Sequence, residues 1–66
     1  MNFKPISATE ILEERKLFEE AYMTANSYAP FVRYNIFKGT VATGYLDKGI
    51  QAKFEGWCLA KGFLLS

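Results

Sequence analysis

Sixty-six residues with a net charge of +1 and an aromatic share of 17% describe one small domain. A chain this short buries only about 60% of the surface its unfolded form exposes, and its core supplies roughly 3–5 kcal/mol at best. A single cysteine excludes an intrachain disulfide, and the absence of histidine excludes a zinc site and an imidazole base. Aromatic packing or self-association is left to hold the domain together. Cys58 fits a reducing, cytoplasmic setting and reads as a small apolar core residue. No apolar run has the length of a secretory signal or of a membrane span, which needs roughly 18 apolar residues. Charge is uneven: residues 1–26 carry −2 and residues 27–66 carry +3.

The first helix is announced by its cap. Ser7-Ala8-Thr9-Glu10 has the form of a capping box, in which the Ser7 hydroxyl and the Glu10 carboxylate each satisfy the other residue's amide. Ile6 and Ile11 have the spacing of a hydrophobic staple across it. Ile11, Leu12, Arg15, Phe18, Tyr22 and Ala25 then follow the helical period, with Leu17 and Ala21 widening the stripe. Glu13, Glu14, Glu20 and Lys16 fall on the other face. Asn26, Ser27 and Pro30 stop the helix, which spans about 8–26.

The middle segment, Phe31 to Lys38, is rich in β-formers. Val32, Tyr34 and Ile36 alternate with Phe31, Arg33, Asn35 and Phe37. Gly39 breaks it, and Thr40 to Thr43 read as a return strand before Gly44. A β-hairpin packed on the helices and an ordered loop anchored by Phe31, Tyr34 and Phe37 are the two alternatives.

A second helix is expected over about 47–61. Asp47 is its N-cap. Ile50, Phe54, Trp57 and Cys58 form its core stripe. Gly56 costs helix propensity beside Trp57, which suggests a close approach by another backbone or ring. Gly62 suits a left-handed C-terminal cap, with Lys61 favourable at the negative end of the helix dipole. Phe63, Leu64 and Leu65 then form an apolar tail that folds back or stays open.

Two stretches carry a resemblance. They are Arg15-Lys16-Leu17-Phe18-Glu19 and Gly44-Tyr45-x-Asp47-x-x-Ile50-Gln51-x-x-Phe54-x-Gly56-Trp57. Together they resemble a pattern of small accessory proteins of tailed phages and prophages. In these an Arg-x-x-Phe-Glu helix precedes a Gly-Tyr-x-x-x-x-(Val/Ile)-Gln-x-x-Trp-x-x-Trp helix. Here the early motif is offset by one residue, and Phe54 stands where tryptophan is usual. The resemblance implies a phage or prophage origin and a place in the host cytoplasm. It carries over no active site.

The search for chemistry yields little. Glu10, Glu13, Glu14, Glu19 and Glu20 read as a solvated helix face. Lys38-Gly39-Thr40 lacks the upstream glycine of a phosphate loop. No cofactor, metal or catalytic residue is expected, and no enzyme. Arg33, Tyr34, Phe37 and Lys38 mix cations with rings, a combination that stacks bases or anchors protein interfaces.

The rings divide into two groups. Phe18, Tyr22, Tyr45, Phe54 and Trp57 fit the two helix stripes. Tyr28, Phe31, Tyr34, Phe37 and Phe63 have no seat in a two-helix core, and their exposure argues for a partner. The expected architecture is therefore mainly α: an antiparallel two-helix hairpin with an aromatic connection. The expected partner-binding residues are Phe31, Arg33, Tyr34, Phe37, Lys38 and Phe63. A host protein is the first expected partner. Nucleic acid, held by Arg33, Lys38, Lys48 and Lys53, is one alternative, and a structural homo-oligomer is another.

Overall fold

A computed structural model describes residues 2–65 and shows a mainly helical chain. Its elements run β1 (Lys4–Pro5), α1 (Ala8–Ala25), a 3-10 turn (Pro30–Val32) continuing into α2 (Arg33–Ile36), α3 (Lys48–Ala60) and β2 (Phe63–Leu64). Both long helices begin where local chemistry dictates. Ser7 Oγ accepts from the Glu10 amide at 3.1 Å, and Glu10 Oε1 accepts from the Ser7 amide at 3.0 Å. Asp47 Oδ1 accepts from the Ile50 amide at 3.1 Å. Gly62, at φ +89°, follows α3 in the left-handed region that an L side chain resists.

Phe18, Tyr45, Ile50, Phe54 and Cys58 form the buried core. Phe18 lies at its centre, with Tyr22, Phe37, Tyr45, Phe54 and Trp57 rings between 5.3 and 6.2 Å from its own. Tilted and edge-on rings at such distances match the quadrupoles of aromatic pairs and add to simple area burial.

The middle segment departs from expectation. Residues 31–43 form no strand: the chain makes a helical turn through Ile36 and a tight turn near Thr40–Thr43. Pro30 at the first position of that turn fixes φ for a helical start. The change of period from two to 3.6 regroups the side chains. Val32, Arg33, Ile36 and Phe37 turn inward, while Phe31, Tyr34, Asn35 and Lys38 face out. Phe37 thereby gains the core seat that the sequence did not offer it, among Phe18, Tyr22 and Tyr45.

The following loop is pinched shut. The Leu46 amide donates to the Lys38 carbonyl at 2.7 Å, and Tyr45 N–H donates to Gln51 Oε1 at 2.7 Å. Gly39, at φ +123°, lies against the Gly44 carbonyl oxygen, so a Cβ there would collide with backbone.

Two further expectations are corrected, and one open alternative is decided. Leu12 and Leu17 belong by period to the core-facing stripe of α1, but both are exposed. Gly56 faces open space, with no ring or backbone near it. The tail folds back: Phe63 and Leu64 pair in parallel with Lys4 and Pro5.

Candidate partner-binding surface

Two glutamates of α1, read from sequence as solvated, instead tie the fold together. Glu14 Oε1 accepts from Trp57 Nε1 at 2.9 Å and lies 2.9 Å from Lys61 Nζ. Burial opposes its charge, but the bonds from Lys61 and Trp57 outweigh burial and hold its carboxyl below the usual range. Glu19 meets three elements. Tyr45 Oη donates to it at 2.7 Å, Arg15 Nε stands 3.8 Å away and Arg33 Nε 3.3 Å away. Arg15 also stacks 4.2 Å from the Tyr45 ring centroid and donates from Nη2 to the Gly39 carbonyl at 3.0 Å. An arginine on the apolar side of a helix was the sequence signal for this arrangement. A buried guanidinium stem with satisfied donors packs as part of the core.

The α2 turn is held to α1 through Arg33. Its Nη2 donates to Glu20 Oε2 at 3.3 Å. Its Nε is buried beside Glu19 but has no aligned hydrogen-bond acceptor. The outer face of the same turn carries Phe31, 71% exposed, and Tyr34, 82% exposed. These residues are three apart, about 60° round a helical turn, and both fall on its exposed side. Beside them lies a hollow of about 320 Å³ lined by Glu20, Met23, Thr24, Tyr28, Pro30 and Arg33. Tyr28 is itself half-seated, its ring 6.2 Å from that of Tyr22.

The six expected binding residues are thus separated. Phe31 and Tyr34 stand together on the surface, with Lys38 exposed nearby in sequence. Arg33 braces the turn from within. Phe37 is packed against the core. Phe63 lies in β2 beside Lys4, whose Nζ is 5.2 Å from its ring centroid, and so belongs with the start of α1.

Cys58 is fully buried, and burial pushes its thiol up to about 11, with Glu14 adding and Lys61 opposing. A thiol so placed is protonated at neutral pH and is a poor nucleophile. Among the described residues no three His, Cys, Asp or Glu side chains converge as a metal site. Among the described residues no helix is long and apolar enough to cross a membrane. No protein-family model matches the chain, and neither curated proteins nor solved structures show a significant similarity to it.

Proposed function

We propose that the protein is a non-catalytic accessory protein of phage or prophage type that binds a host protein in the bacterial cytoplasm and inhibits or redirects it. One observation carries this reading: Phe31 and Tyr34 project side by side from a short turn that Arg33 anchors to Glu19 and Glu20. Large exposed rings on a braced backbone lose little conformational freedom when they dock, and aromatic residues dominate the energetics of protein interfaces. Phe37 supports the turn from beneath, and Lys38 supplies a rim charge. As part of this reading, α1 and α3 form an antiparallel hairpin. The pairs Glu14–Trp57, Phe18–Phe54 and Tyr22–Lys53, which run in opposite order along the two helices, support it.

Nucleic-acid binding is the weaker alternative, because Arg33 is already engaged by two carboxylates. Lys38, Lys48 and Lys53 remain for phosphate contacts. The test is affinity capture from nuclease-treated bacterial lysate with a tagged chain and its Phe31→Ala/Tyr34→Ala variant. The expected result is one dominant host protein with the wild type, lost with the variant while the helical circular dichroism is unchanged. Equal capture by both chains, or none by either, overturns the assignment. A salt-sensitive mobility shift with DNA or RNA favours the alternative.

A further inference from the structure

The small parallel sheet has two edges, and they differ. The Lys4 amide donates to the Gly62 carbonyl at 3.0 Å and the Ile6 amide to the Leu64 carbonyl at 3.0 Å. Backbone groups alternate between the two sides of a strand. The outward groups on β1 therefore belong to Phe3 and Pro5, and those on β2 to Phe63 and Leu65. Pro5 has no N–H, so the outer edge of β1 is blocked against further pairing. The outer edge of β2 has no such block, and among the described residues no hydrogen bond closes it. Beside it a groove of about 740 Å³ has an apolar side of Ile6, Ile11, Leu59 and Leu65 and a polar side that includes Gln51 and Glu55.

We infer that this edge and groove form a two-fold interface with a second copy of the chain. A two-fold axis at Leu64 sets Phe63 of one copy opposite Leu65 of the other. Each such pair exchanges two N–H···O bonds, so the edge is complementary to itself, as an isologous contact requires. The groove then receives the apolar side chains of the second copy.

The self-complementary edge and the small core favour a second copy over a foreign peptide, and the exposed area leaves room for one. The chain exposes 4698 Å². A monomer of its mass is expected to expose roughly 4250 Å². The excess is on the order of half the ~800 Å² that each partner buries in a standard interface. Among the described residues the buried core numbers five, and the chain's single cysteine is free. Oligomerisation is one of the ways a domain of this size without a disulfide staple gains stability. The net charge of +1 offers little electrostatic opposition.

Light scattering across a dilution series tests the inference on the intact chain. The expected mass is twice 7.5 kDa at high concentration and falls towards the monomer on dilution. Leu64→Lys puts a charge at the axis, and Leu65→Pro removes an edge donor. Each shifts the series to the monomer, while Phe31→Ala/Tyr34→Ala leaves it unchanged. If the edge variants do not fold, amide exchange on the wild type decides. The Phe63 and Leu65 amides are expected to exchange slowly when the mass is doubled and fast on dilution. A monomer at every concentration, a dimer indifferent to Leu64→Lys, or fast exchange of both amides within the dimer overturns the inference.

Discussion

Tyr34 and Phe37 lie three residues apart, yet one is 82% exposed and the other sits among three rings. Composition does not separate them, since both are aromatic and both flank cations. Helical phase does: a turn that begins at Pro30 points 33, 36 and 37 inward and 31 and 34 outward. A strand over the same residues would place Phe31 and Phe37 on one face and Tyr34 on the other. The function proposed for this surface therefore rests on a backbone turn that Pro30 starts and that the core contacts of Ile36 and Phe37 hold.

The sharpest way to test the division is to cut rings from each side. Phe54→Ala removes a fully packed ring, which costs about 3–5 kcal/mol in a core. That is comparable with the whole stability expected of so small a domain, so the variant should be unfolded by circular dichroism at room temperature. Tyr45→Phe is expected to cost about 1.5–3 kcal/mol, the range for a hydrogen bond to a charged group, read as a lower urea midpoint. Acid probes the Glu14 tie. Its carboxyl is lowered in the folded state, so its contribution is present above the ordinary carboxylate range near 4.5 and is lost as pH falls through the folded value. Stability should thus drop as pH falls below the ordinary carboxylate value near 4.5, and Glu14→Gln should flatten that part of the profile. The smallest effect belongs to the outer face. Phe31→Ala and Tyr34→Ala should each change stability by no more than about 0.5 kcal/mol. A larger loss would make these rings part of the core and remove the basis for the binding proposal.

What was legible in the sequence was what local chemistry decides. The Ser7–Glu10 box, the Asp47 cap, the Gly62 stop and the Ile50, Phe54 and Cys58 stripe each depend on residues within a turn or two of one another. The middle segment was misread because Val32, Tyr34, Ile36 and Phe37 favour strands intrinsically, whereas core contacts made by Ile36 and Phe37 decide the outcome. Glu14 and Glu19 were misread because their partners, Trp57, Lys61, Tyr45 and Arg33, lie on other elements. Helix periodicity shows which face a residue occupies but not what arrives there. At the candidate surface the exposed pair Phe31 and Tyr34 was visible, but so were Phe37 and Phe63, and only the fold sorts them. The β1–β2 pair left no signal, because two residues are too few to show a period.

That same pair has a consequence for how the chain folds. Lys4 meets Phe63 across nearly the whole sequence, so closing that contact encloses both helices in one loop. Closure entropy grows with loop length by about 0.6 kcal/mol per doubling, and two residues of ladder return little against it. The strands therefore close last, after α1 and α3 have shortened the loop. Weakening that ladder with Phe63→Ala should speed unfolding and leave the refolding rate nearly unchanged in stopped-flow measurements. Slower refolding would place the pairing in the nucleus instead.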